Sequence, residues 1–287
     1  MSTTKAKRRY PVAAGALVAA VAAATFLAQG CGGDGGAGAL PDTPDYHSLL
    51  VSPTDPERLV LGTHEGLFES ADGGRSWQRA ELPGEDAMNL ARAEDIVWAA
   101  GHNVLARSTD GGTTWEDVRP AGLPGLDVHG FAVDPRNPRT LYAAVAGQGL
   151  FRSTDGGSTF SLVSSDVGPG VMAMAVTPDG RLLAGDMQQG LFESRDEGRT
   201  WRLGLQAGLM GLAVNPKNPA RVLATGPGIL RSGDGGREWL QVLQLDAGTG
   251  PVAWSPSDPD VAYVVGFDRV LYRTRDGGKT WNPVGGE

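Results

Sequence analysis

Ser153-Thr154-Asp155-Gly156-Gly157-Ser158-Thr159-Phe160 is a turn that this chain writes six times. The pattern is Ser/Thr-x-Asp-x-Gly-x-Thr/Ser/Glu-Trp/Phe. Its copies begin at Ser70, Ser108, Ser153, Ser194, Ser232 and Thr274, and close on Trp77, Trp115, Phe160, Trp201, Trp239 and Trp281. Successive starts lie 38, 45, 41, 38 and 42 residues apart. A period near forty, with strand-like flanks and a terminal aromatic, predicts one propeller blade per repeat.

Working outward from the third copy, Val128 to Val133 reads as a first strand and Asp134-Pro135-Arg136-Asn137-Pro138 as a turn, because proline fixes φ and Asn and Asp tolerate turn geometry. Thr140 to Ala144, Gly149 to Arg152 and Thr159 to Val163 supply three more strands. The aspartate of the box can accept hydrogen bonds from its own turn while the glycines take positive φ. Five of the seven tryptophans are spent on this motif, so the boxes read as structure rather than chemistry. The expected fold is all-β: a single six-bladed propeller of four-stranded antiparallel blades over residues 45–287. Its ring closes by packing blade six on blade one, with no exchanged strand.

Residues 1–30 read as a leader. Lys5, Lys7, Arg8 and Arg9 form a positive head before an apolar run from Val12 to Ala28 that is short for a membrane span. The run ends at Ala28-Gln29-Gly30-Cys31, with the sole cysteine at the junction. This segment resembles a bacterial lipoprotein signal, although Leu27 stands four residues before Cys31 where the usual leucine stands three before. The resemblance implies lipidation of Cys31 and an exported, membrane-anchored protein, extracellular or periplasmic. Ordinary secretion and an uncleaved anchor are the other readings. Residues 31–44 read as a Gly-rich tether. Residues 1–30 hold four basic and no acidic side chains, so the 25 basic and 33 acidic residues of the whole chain leave a charge of −12 after their removal. Such a surface disfavours nucleic acid and anionic headgroups. The expected partner is a protein or glycan at one face of a monomer, with the membrane met through the lipid alone.

The repeated turns resemble Asp-boxes, also called BNR repeats, along all the chain after the tether. That family includes sialidases, xyloglucan-degrading hydrolases, sortilin-type receptors and a photosystem II assembly factor. The first repeat is also similar to bacterial exported proteins labelled glycosyl hydrolases. The resemblance implies the propeller fold, whereas activity must be argued from a site. In Asp-box enzymes the active site lies on the face opposite the boxes, here called the top.

All four histidines register to that top face. His47 and His129 stand near the start of inner strands, six residues before a turn proline, and His64 and His102 occupy matching places in the second turn. Met88, Met172 and Met210 share the column of His47 and His129, which ends at Gly250. Imidazoles and thioethers at one rim suit a soft ion, so copper(I) is a candidate ligand of His47, Met88 and His129, with His64, His102, Met172 and Met210 completing the shell. The alternative is that methionine plugs the channel mouth and histidine sits half-exposed beside it. A glycoside hydrolase needs two carboxylates across a cleft. Asp45, Glu65, Asp86, Asp127, Asp246 and Asp268 fall on the top, yet no acid–nucleophile pair is recognisable. Neither a sialidase arginine motif nor a phosphate-cradling loop is present. The sequence therefore favours a non-catalytic binding or assembly module over a hydrolase of sialidase-like or xyloglucanase-like type.

Overall fold

The computed structural model describes residues 9–10, 39–168 and 170–286. Six antiparallel sheets stand around one axis, each built from four strands consecutive in sequence. Blade 3 shows the plan: Val128–Val133 inside, then Leu141–Val145, Gly149–Ser153 and Ser161–Ser164 outside. The inner strands of the other blades are Ser48–Val51, Asn89–Ala93, Val171–Val176, Gly211–Val214 and Thr249–Trp254. No helix occurs among the described residues. The leader, most of the tether and Cys31 lie outside them, apart from Arg9–Tyr10, which pair antiparallel with Trp239 and Leu240 at the edge of blade 5.

The outer strand of blade 3 begins at Ser161 rather than Thr159. Phe160 belongs to the box: its N–H donates to Ala121 O at 2.9 Å and its ring is buried. Residues 39–44, the end of the tether, lie against the ring. Ala39 bridges Val270, Leu40 is buried between blades 1 and 6, and Asp42 pairs with Arg269 at 2.8 Å.

Apolar side chains pack between blades, since a twisted four-stranded sheet buries its faces only against its neighbours. Trp98 and Leu105 of blade 2 meet Phe131, Leu141 and Phe151 of blade 3. Equivalent clusters join blades 3 and 4, 4 and 5, and 5 and 6. Blade 6 closes on blade 1 through Val261, Tyr263, Val265 and Leu271 against Leu49, Val51, Leu59 and Leu61. Polar contacts lock the same seam. The Tyr263 hydroxyl donates to Pro56 O at 3.0 Å, and Glu57 accepts from Arg273 and Arg275 at 3.3 Å each. The ring is thus closed by packing, with no strand exchanged between blades 6 and 1 among the described residues.

The boxes form the bottom face. In the first, Asp72 Oδ1 accepts from the Ser70 hydroxyl at 2.8 Å and from the N–H groups of Arg75 and Ser76 at 2.9 Å each. Its Oδ2 accepts from the Ser76 hydroxyl at 2.6 Å, while Ser70 Oγ accepts from Gly74 N–H at 2.8 Å. Asp110, Asp155, Asp196 and Asp276 repeat the scheme. In the fifth box Glu238 has no hydroxyl to offer, and Asp234 keeps the serine and backbone donors alone. Gly156 and Gly157 have φ of +77° and +85°, and a Cβ on Gly157 would meet Trp98 of blade 2 at 2.6 Å. Each box therefore shapes its own hairpin, and the third presses on the preceding blade, as Gly74 does on Leu271 and Gly198 on Leu150.

Candidate functional site

The top face carries the four histidines, and the structure draws them into one arc over blades 1 to 3. His47 immediately precedes the inner strand of blade 1, with its N–H donating to Gly62 O at 2.9 Å. His64 sits in the second turn of that blade, its ring centroid 4.2 Å from that of His47. His102 occupies the same turn of blade 2, 5.3 Å from His64, and His129 on blade 3 lies 5.2 Å from His102, edge to face.

Three aspartates interleave with these rings. Asp45 approaches His64 Nδ1 at 2.5 Å and accepts from the His64 N–H at 3.1 Å. Asp86 does the same one blade on, meeting His102 Nδ1 at 2.5 Å and the His102 N–H at 3.1 Å. Asp127 stands 3.5 Å from His102 Nε2 and 3.1 Å from His129 Nε2. Burial raises the Asp45 carboxyl, but the His47 ring and the His64 N–H outweigh it and hold the group at about 2. Asp45 is thus ionised throughout the physiological range.

Several polar atoms of the arc are buried without a hydrogen bond. They are His47 Nε2, Asp86 Oδ1 and both ring nitrogens of His129. The approaches of Asp45 to His47 at 3.4 Å and of Asp127 to His129 at 3.1 Å are close in distance but lack hydrogen-bond geometry. Buried donors and acceptors in this condition are uncommon and point to a missing partner.

Met88, Met172 and Met210 line the central channel with His47, around a cavity of about 430 Å³. Met88 is buried, so its thioether is part of the wall. His47 and His129 fall at opposite ends of the arc, in separate groups of convergent ligands. The groups are Asp45/His47/His64, His64/Asp86/His102 and His102/Asp127/His129, each with ligand atoms within 4.8 Å of one another.

The sequence placed the histidines together on the top and gave the aspartates there no part in their site. The missed signal is a repeat position. Asp45, Asp86 and Asp127 each stand two residues before the column position, where blades 4 to 6 carry Gly170, Gly208 and Gly248. One half of the rim is acidic at this register and the other half bears no side chain. Of the remaining top-face acids, Asp268 accepts from the Tyr272 hydroxyl at 2.6 Å. Burial, and then Asp268 itself, push that phenol up to about 12. Asp268 is thereby committed to a local bond.

A family model described as photosynthesis system II assembly factor YCF48 matches residues 48–184, and one described as BNR/Asp-box repeat matches residues 272–283. The chain is a BNR/Asp-box repeat propeller. Among curated relatives, a xyloglucanase of Acetivibrio thermocellus is 26% identical, over 83% of this chain and 32% of the relative. The photosystem II assembly lipoprotein Ycf48 of a Synechococcus is 27% identical, over 50% of this chain and 44% of the relative. The chain spans 32% of the length of that xyloglucanase and 34% of a probable oligoxyloglucan-reducing end-specific xyloglucanase of Neosartorya fischeri, to which it is 24% identical over 83% of this chain. A solved structure of YCF48 bound to D1 peptide superposes with a TM-score of 0.55 at 18% identity, covering 86% of this BNR propeller and 84% of that chain.

Proposed function

We propose that this BNR propeller is an exported, lipid-anchored, non-catalytic binding module that takes a peptide segment of a partner protein on its top face and serves in assembly. The observation that carries the reading is the extent of the assembly-factor match. Residues 48–184 cover the strands of blades 1 to 3 and enter blade 4, and hold all of the top-face arc but Asp45 and His47. The relative named an assembly lipoprotein and the solved YCF48 bound to D1 peptide support the same reading. Among the described residues, two of the four exposed large apolar side chains, Met187 and Phe267, lie in second turns on the top and offer contacts to such a segment. An acidic chain favours a peptide of positive charge.

Anchoring at Cys31 would hold this face clear of a membrane, with the chain acting as a monomer. A hydrolase acting on xyloglucan is the second reading, favoured by relatives of that name over 83% of this chain. The two separate on assay. Under the binding reading, xyloglucan oligosaccharides are not cleaved, and a displayed library of basic peptides yields binders that Met187→Asp and Phe267→Asp weaken. Turnover abolished by a top-face carboxylate substitution would establish the hydrolase instead. Mass spectrometry of the mature N-terminus decides the anchor, with diacylated Cys31 expected.

A further inference from the structure

The histidine–aspartate arc has a chemistry of its own, independent of any peptide. We propose that it binds two divalent first-row transition ions, one at each end. The first pocket is His102, Asp127 and His129; the second is Asp45, His47 and His64. Asp86 stands between them as a positioning residue.

Convergence is the first support. Within each pocket the ligand atoms already lie within 4.8 Å of one another. Ligands held about 2.0–2.2 Å from one ion stand roughly 3–4 Å apart, so the ligand atoms need close by no more than about an ångström. The unpartnered atoms are the second. His47 Nε2 in one pocket, and both ring nitrogens of His129 in the other, are buried without a hydrogen bond. A metal ion gives a neutral imidazole nitrogen a partner that a carboxylate at the wrong angle does not.

Ligand type narrows the ion. Two imidazoles and one carboxylate suit zinc, copper(II) or nickel(II), whereas magnesium and calcium require oxygen shells. The carboxylates move the preference away from the soft copper(I) that thioethers would favour, and Met88 and the other column methionines stay in the channel wall. Positioning is also in place. Asp86 holds His102 through Nδ1 at 2.5 Å, which turns Nε2 toward Asp127 at 3.5 Å. A carboxylate behind a ligating histidine fixes the ring and its tautomer. Backbone N–H groups of His64 and His102 pin Asp45 and Asp86 in turn, each at 3.1 Å. Both pockets open to solvent, with the side chains of His64 and His102 38% and 44% exposed, so an ion has a path in.

The test is calorimetric titration of Zn²⁺ into the full chain stripped with a chelator. Wild type should take up two equivalents and show no saturable heat with Mg²⁺. His129→Ala and His47→Ala should each retain one equivalent, and the double variant none. Asp86→Asn should keep both sites, with affinity at the first pocket lowered about 10–100-fold and the second unchanged. Melting in chelator verifies that each variant folds. Asp127→Asn, at a half-exposed side chain, serves as the second probe of the first pocket should His129→Ala fail that check. The proposal is overturned if wild type shows no saturable uptake, if uptake survives in the double variant, or if either single substitution removes both equivalents or neither. Loss of all uptake in Met88→Leu would also overturn it, in favour of a thioether site.

Discussion

Carboxylates on the two faces of this propeller meet opposite circumstances. At the bottom each box aspartate is surrounded by donors from its own turn; Asp155 alone accepts from Ser153, Ser158 and Thr159 within 3.1 Å. At the top, the aspartates meet an arc of histidines on three blades, in which His47 Nε2 and both ring nitrogens of His129 are left unpartnered. Bottom bonds are closed within eight residues, so they serve folding and leave nothing for a ligand. Top contacts join residues farther apart: Asp45 with His64 nineteen positions on, Asp86 with His102 sixteen on, and His102 with Asp127 across two blades. They therefore exist only after the blades have formed, and remain open to a further partner. The same side chain is thus structural where its partners are local and available where they are not.

The largest way to sharpen this contrast is acid. Hydrogen bonds from the Thr114 hydroxyl and N–H depress Asp110 to about 2. Asp72 and Asp196 also stand at about 2, Asp155 and Asp276 are lower still, and Asp234 is depressed. A folded pKa below the unfolded value of about 3.9 contributes stability that is fully present above pH 4 and is lost as pH falls toward 2. Thermal melts should therefore show a steep fall in Tm between pH 4 and pH 2. A flat profile there would deny the boxes their role.

Next in size is Gly157→Ala, which combines a positive φ with a Cβ 2.6 Å from Trp98. Left-handed strain and overpacking together should cost about 3 kcal/mol in denaturant unfolding. Ser153→Ala should cost about 2 kcal/mol, because the Gly157 N–H is left buried without its acceptor. A rim substitution such as His102→Ala should lie within about 0.5 kcal/mol of wild type in chelator. A rim loss as large as that of Ser153→Ala would break the comparison, making the arc part of the fold's stability.

Architecture was legible because each repeat encodes its blade locally. The six boxes and the proline turns predicted blade number, strand order and closure, and even the limits of blade 3 differ by only a residue or two. The candidate site was half legible for the converse reason. Register alone placed His47, His64, His102 and His129 on the top. Which of them touch depends on contacts between blades, such as His102 with Asp127, that no single repeat contains. Asp86 was hardest to read, since its own column position holds Met88 and its partner is a turn histidine sixteen residues on.

The seam between blades 6 and 1 bears on the order in which the molecule assembles. Every other interface joins blades that follow one another along the chain, whereas Tyr263 and Pro56 are 207 residues apart and Arg273 and Glu57 are 216. Loop-closure entropy grows with that separation, so these contacts form only after the intervening blades have stacked. A bond made after the rate-limiting step leaves refolding unchanged and slows opening. Tyr263→Phe should accordingly accelerate unfolding severalfold while the refolding arm stays where it was. Glu57, Arg273 and Tyr263 thus act as a latch: last to engage, they determine how long the finished ring persists.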